Sequence, residues 1–281
     1  MDIIEKVITV QDYLTKSNLP VSDYVINPYV GCPHGCKYCY ATFMKRFTGH
    51  QEDWGSFVDV KTCGKPLSAK KLTGKTVYLS SVTDCYNPVE EKYGITRRLL
   101  EELTDIDCEV GITTKSKLIL RDLDVLKRLK HLKVSMSINT LDEGFKEDMD
   151  HASAISDRLR TLEVLHENGI HAALFISPIF PGLTDPIAIM EVSKGYVDEF
   201  WFENLNLRGS FKTTILQYIS EKQPQLTALY HQIYSLGDMG YWIALAERLD
   251  EYCNAHSLCN TNFFYHSQLV KAKLAKQAAL R

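Results

Sequence analysis

The stretch Gly31-Cys32-Pro33-His34-Gly35-Cys36-Lys37-Tyr38-Cys39-Tyr40 places three cysteines at C-x3-C-x2-C spacing on one short loop. An odd trio so close together cannot close into a disulfide framework and suits metal ligation. Three thiolates hold three irons of a [4Fe-4S] cluster and leave the fourth iron open to another ligand, whereas a cluster used only for electron transfer normally takes four cysteines. A structural zinc site is the competing reading. It needs a fourth Cys or His, and His34 lies inside the loop.

Around this loop the chain has an ordinary globular composition. It has 281 residues, 45% of them hydrophobic and 24% charged, enough for one large barrel-like domain or two ordinary ones with a sizeable core. Nowhere do some ~18 uncharged apolar residues occur together, so no membrane span is expected. The start Met1-Asp2-Ile3-Ile4-Glu5-Lys6 lacks the basic then apolar regions of an export signal, and a cytoplasmic location is the expectation. In that setting eight cysteines read as reduced thiols and metal ligands. The formal net charge of -3 gives no general attraction to nucleic acid, which is a partner the sequence does not favour. After Glu251 there is no acidic residue, and Lys271, Lys273, Lys276 and Arg281 make a basic tail that reads as a solvated helical end.

Short β-rich runs alternate with amphipathic stretches. Strands are predicted at 24–30, 76–80, 108–114, 132–138, 171–177 and 199–204, with helices at 93–103, 120–129, 153–167 and 186–194 between them. Such alternation argues for parallel βα units. Six strands are too few for a closed eight-fold barrel, so the expected fold is α/β, a partial (βα)6 TIM-like barrel with a C-terminal helical cap. Asn168-Gly169 is the expected end of one helix, and Pro178 with Pro181-Gly182 the expected turn after a strand. The division that follows is a lead-in at 1–23, the barrel at 24–209, and a helical cap with the basic tail at 210–281.

Polar residues gather at the predicted strand ends, where parallel barrels carry their chemistry. They are Ser80-Ser81-Val82-Thr83-Asp84-Cys85, Thr113-Thr114-Lys115, Ser135-Met136-Ser137-Ile138-Asn139, Ser177-Pro178-Ile179, and Glu203-Asn204-Leu205-Asn206. Together they form a ring able to hold a zwitterion and a ribose.

With Tyr38 one residue before its last cysteine, the loop closely resembles the C-x3-C-x-φ-C signature of the radical S-adenosylmethionine (SAM) superfamily. The order of segments around it, with Thr114-Lys115, Ser137-x-Asn139 and Ser177-Pro178-Ile179, is similar to the spore photoproduct lyase branch. The flanks 24–31 and 43–48 are most like the proteins called radical SAM mobile pair protein B. The resemblance implies that Cys32, Cys36 and Cys39 bind a [4Fe-4S] cluster whose open iron chelates SAM. One electron then cleaves SAM to a 5'-deoxyadenosyl radical that abstracts hydrogen from a substrate.

It further implies Tyr38 against the adenine, and Ser80, Ser81, Thr83 and Asp84 beside the methionyl part. Lys115 faces the SAM carboxylate, while Ser137 and Asn139 bond the ribose. An external electron donor such as flavodoxin or ferredoxin, and a second radical SAM protein in a paired complex, are the implied partners. One departure stands out. Spore photoproduct lyases place a hydrogen-donating cysteine where this chain has Ser81, which argues against thymine-dimer repair and leaves Cys85 as the candidate donor thiol.

The remaining cysteines read more quietly. Cys108 opens a predicted strand and is expected in the core. Cys253 and Cys259 flank His256, a fragment of a second cluster site without enough ligands to complete one. Phe263-Phe264-Tyr265 is expected either to tuck into the barrel mouth or to meet another protein.

Overall fold

The computed structural model describes residues 3–19, 22–209 and 211–264. The chain opens with β1 (Ile4–Thr9), β2 (Leu14–Lys16), β3 (Tyr24–Ile26), β4 (Tyr29–Val30) and β5 (Phe57–Thr62). Helices and strands then alternate: α1 (Ala69–Leu72), β6 (Thr76–Leu79), α2 (Glu90–Tyr93), α3 (Ile95–Leu103), β7 (Glu109–Thr114), α4 (Leu123–Leu126), β8 (His131–Ser137), α5 (Glu143–Met149), α6 (Ile155–Glu167), β9 (His171–Ile179), α7 (Pro186–Glu191) and β10 (Glu199–Asn204). Helices α8 (Phe211–Lys222), α9 (Thr227–Tyr234) and α10 (Gly240–Ala255) follow, and then β11 (Asn260–Asn262).

The main sheet runs β2-β3-β6-β7-β8-β9-β10-β11. Every neighbouring pair in it is parallel except β2 with β3. Because β2 and β11 stand at opposite ends, the barrel is open, as the count of βα units predicts. Side chains alternate across the strands. Val77, Val110, Ile112, Val134, Met136, Leu174, Phe200 and Phe202 face the helices in one apolar core. The residues between them, Tyr78, Thr113, Ser135, Ser137, Phe175, Ser177, Trp201 and Glu203, are left to point inward.

Local chemistry explains the boundaries. Helix α6 ends as Asn168-Gly169 predicts: Gly169, at φ +71°, donates its N–H to the His166 carbonyl at 2.9 Å, and Ile170 donates to that of Leu165 at 3.0 Å. These two bonds satisfy carbonyls that the last turn leaves orphaned, and only a residue comfortable at positive φ permits them. Asp142 and Asp185 cap α5 and α7 by accepting backbone N–H groups of the first turn, with Pro186 already at the first turn of α7.

Three details differ from the sequence reading. The predicted strand at 24–30 is split, because Pro28 cannot donate to a ladder and Asn27 turns its side chain to Ser81 and Val82. Only β3 joins the barrel, while β4 pairs with β5 in a small sheet of order β1-β5-β4. The predicted helix at 93–103 breaks at Gly94 (φ +61°), the C-cap of α2. After the expected run of C-terminal helices, β11 adds itself to the open edge of β10. Asn260-Thr261-Asn262 has no strand pattern of its own, so it is the unpaired edge that recruits it.

Helix α10 sets Trp242, Leu245, Leu249 and Cys253 at helical spacing into the main core. Helices α8 and α9 lie instead on a second cluster that reaches the cysteine loop, where Phe211, Ile215 and Tyr230 pack with Phe145, Phe180 and Tyr38. Phe263 and Phe264 are tucked inward: Phe263 packs edge-on against Phe175 and Trp201, and Phe264 against Trp242. Tyr265 and the basic tail lie outside the described residues. Among those described, no helix is long and apolar enough to cross a membrane.

Candidate cofactor and substrate site

The cysteine loop meets the strand ends at a cavity of about 340 Å³. Cys32, Cys36, Cys39 and Tyr38 line it together with Ser80, Ser81, Thr83, Asp84, Lys115 and Ser137. Ten residues called from distant parts of the sequence are therefore brought to one opening. Two others are not. Asn139, two residues on from Ser137, is buried and is not part of the lining; its backbone carbonyl accepts from Thr184 and its side-chain Nδ2 has no partner among the described residues. Cys85 is fully buried in the main core and does not reach the cavity. The donor role read for Cys85 therefore has no geometric support, since a thiol walled off from the opening cannot meet a radical formed in it.

Backbone geometry explains how the loop is held. Gly31 sits at φ +89°, and a Cβ there would lie 2.2 Å from the Phe57 carbonyl oxygen, so no side chain fits. Thr83 donates its hydroxyl to the Gly31 carbonyl at 2.8 Å. The carboxylate of Asp84 is wholly engaged with protein. Its Oδ1 accepts from the Tyr86 N–H at 2.9 Å and the Thr114 hydroxyl at 2.8 Å, while Oδ2 accepts from the Lys115 N–H at 2.8 Å and faces His34 Nδ1 at 3.4 Å. Burial opposes its ionisation, but His34 and these donors outweigh burial and hold it below the ordinary carboxylate range. Asp84 thus ties the cluster loop to the end of β7.

On the other side of the loop, Tyr38 donates its hydroxyl to Asp150 Oδ2 at 2.8 Å. The same carboxylate takes Arg158 Nη2 at 2.7 Å on its other oxygen, and Arg158 Nη1 continues to the Ser137 carbonyl at 3.2 Å. Backbone bonds run alongside, from Lys37 N–H to the Met149 carbonyl and from His151 N–H to the His34 carbonyl. Asp150 and Arg158 are absent from the sequence reading. No local motif marks them, because the turn after α5 meets the loop only in three dimensions.

Without a bound cation the surroundings oppose free thiolates here. Burial pushes the thiols of Cys32, Cys36 and Cys39 up, Cys36 to about 12, and the nearby Lys115 ammonium acts against that rise at Cys36 and Cys39. A bound metal takes over the work of stabilising the thiolates. His34 turns Nδ1 to Asp84, which leaves Nε2 able to meet a metal, so the zinc reading turns on whether the donors converge. Among the described residues no three His, Cys, Asp or Glu side chains converge as one bare ion requires. Thiolates spread around a four-iron cube are held to no such convergence. Lys115 stands with Nζ 5.5 Å from the centre of the Tyr38 ring, placing a point-charge donor beside the loop.

The model of the Radical SAM superfamily matches residues 26–190, more than half of the chain, and the chain belongs to that superfamily. An uncharacterized protein of Methanocaldococcus jannaschii is 37% identical over 215 residues, which cover 75% of this chain and 81% of the relative. Among solved structures, a mutant spore photoproduct lyase with bound AdoMet and dinucleoside spore photoproduct superposes with TM-score 0.57 at 14% identity, over 78% of this chain and 67% of that one. Streptococcus suis SuiB bound to S-adenosylmethionine gives 0.55 at 14% identity, over 93% of this chain and 50% of its own. At these identities the likeness speaks for the fold.

Radical SAM proteins use a [4Fe-4S] cluster and SAM, and this site fits both. Three sulfur donors, Cys32 buried and Cys36 and Cys39 half-buried, sit on one loop, and strand-end hydroxyls with the Lys115 ammonium surround the same opening.

Proposed function

We propose that this chain is a radical SAM enzyme that reductively cleaves SAM and abstracts hydrogen from a carbon of its substrate. The observation that carries the reading is the convergence of the three cysteines with Lys115 and Ser137 on one cavity. When bound, the cluster supplies the electron that splits the SAM sulfonium to methionine and a 5'-deoxyadenosyl radical. In this reading Cys32, Cys36 and Cys39 hold three irons, and Lys115 pairs with the SAM carboxylate. Ser137 and the unpartnered amide of Asn139 serve the ribose. Tyr38 lies at the adenine end, its ring fixed by Asp150.

The strand-end turn divides its labour. Ser80 and Ser81 border the methionyl part, whereas Thr83 and Asp84 position the loop through Gly31, His34 and Lys115. In this reading residues 24–209 act as the working barrel, and 210–281 carry the helical cap and the basic tail. The electron comes from outside the chain, a task that flavodoxin or ferredoxin performs. A second radical SAM protein as partner belongs to this proposal through the resemblance alone.

The test is anaerobic purification and assay. Roughly four irons and four sulfides per chain are expected. The triple Cys-to-Ala variant at positions 32, 36 and 39 should lose the brown chromophore, and dithionite with SAM should release 5'-deoxyadenosine from the wild-type protein only. A chromophore that survives the triple change, or a loaded protein that leaves SAM intact, refutes the reading.

A further inference from the structure

Along β10, Glu199 and Trp201 are successive inward positions, and Glu203, at a register shift in the pairing with β9, also faces the cavity. The set around Glu199 is complete. Lys133 Nζ lies 2.6 Å from Glu199 Oε2 and 5.4 Å from the centre of the Trp201 ring, so a carboxylate and an aromatic face share one cation. The set around Glu203 has the same two parts without the third. Glu203 opens into the cavity beside Trp201, its Oε2 accepting the Ser177 hydroxyl at 2.6 Å. None of the ion pairs among the described residues includes it. Arg208 borders the same cavity but does not pair with it.

The walls here are aromatic. Phe175, Trp201 and Phe263 stand edge-to-face with centres 5.7 to 6.2 Å apart, and Tyr78 lines the cavity from β6. A few fixed polar groups on an apolar wall are what orient a small ligand. A carboxylate that shares a cavity with aromatic rings favours a desolvated nitrogen cation, which gains ion pairing and cation–π attraction together. SAM's carboxylate finds its counter-charge elsewhere, at Lys115. We propose that Glu203, Trp201 and Phe175 form the substrate subsite, and that the substrate presents a protonated amine, amidine or guanidinium there. The assignment rests on the cavity being a radical SAM active site.

Benzamidine and benzamide serve as probes, one cationic and one neutral but of nearly the same shape. Calorimetric titration of the cluster-loaded, SAM-bound protein should show benzamidine binding at least roughly tenfold more tightly than benzamide. Glu203→Gln should abolish that preference, Glu203→Asp should restore part of it, and Trp201→Phe should weaken benzamidine more than benzamide. Equal binding of the two probes by wild-type protein overturns the proposal. So does a preference that survives Glu203→Gln in a variant whose circular dichroism melt matches wild type, or a loss confined to SAM. Because these readouts are binding constants, they stand apart from release of 5'-deoxyadenosine, on which the radical SAM reading itself stands or falls.

Discussion

Arg158 Nη2 lies 2.7 Å from Asp150 Oδ1, and each side chain is 1% exposed. This buried pair joins two parts of the site that are remote in sequence, with Tyr38 of the cysteine loop on Asp150 and the Ser137 carbonyl of β8 on Arg158. An ion pair so deeply buried is weak evidence for stability in itself, yet breaking it strands a charge.

Asp150→Ala is therefore expected to destabilise the fold by about 3–5 kcal/mol, a fall of roughly 5–15 °C in melting temperature. Tyr38→Phe, which leaves the pair intact, should cost about 1 kcal/mol. Burial opposes the ionisation of Asp150, but Arg158, Lys115 and Tyr38 outweigh it and hold the carboxyl below its ordinary 3.8. The native state thus binds fewer protons than the unfolded chain. The gain is fully present above the unfolded value and is lost as pH falls through the folded one. Urea melts of wild type and Asp150→Asn should keep a constant gap from pH 7 down to about 4 and converge below it; a gap that widens towards acid would falsify the assignment.

Gly31→Ala should fail at the backbone. Its Cβ would meet the Phe57 carbonyl oxygen at 2.2 Å, and Gly31 already stands at φ +89°. We expect a loss of at least ~2 kcal/mol and poor iron incorporation. Gly64→Ala, with nothing within 4 Å of the new methyl, should stay within ~0.5 kcal/mol of wild type. Iron content and thermal melts of the two variants give the comparison, and equal behaviour would show that the loop tolerates a shift the packing forbids.

Lys115→Ala should weaken SAM binding roughly ten- to a hundredfold, the worth of a charge-assisted bond to a carboxylate, while iron content stays at the wild-type level. Asn139→Ala should act in the same direction if its amide serves the ribose. Equilibrium dialysis with labelled SAM measures both. Unchanged affinity in the pair would move SAM away from these strand ends.

Cys85→Ala tests the buried thiol. Packed in the core away from the cavity, it should yield a protein that is less stable by about 1–2 kcal/mol but releases 5'-deoxyadenosine at close to the wild-type rate. A selective loss of turnover in a stably folded variant would restore Cys85 as a participant.

Much of this protein is legible without coordinates. The cysteine spacing, the alternation of strand and helix, and the Asn168-Gly169 stop are local signals, encoded in a few consecutive residues by ligand geometry, side-chain period and permitted φ. They suffice for an open α/β barrel with its chemistry at the strand ends, because inward and outward positions follow from a two-residue period. What the sequence left undecided is non-local. Whether Cys85 faces the cavity or the core depends on a turn in which Ser80 stands at φ +75° and accepts the Cys85 N–H, and no pattern in 80–85 reveals it. Asp150 and Arg158 look like ordinary surface charges in the chain, and Glu203 is legible only as one member of the strand-end ring. Only the folded structure pairs the first two and leaves the third open, because burial and partnership are properties of segments that meet in space, over separations that no sequence period spans.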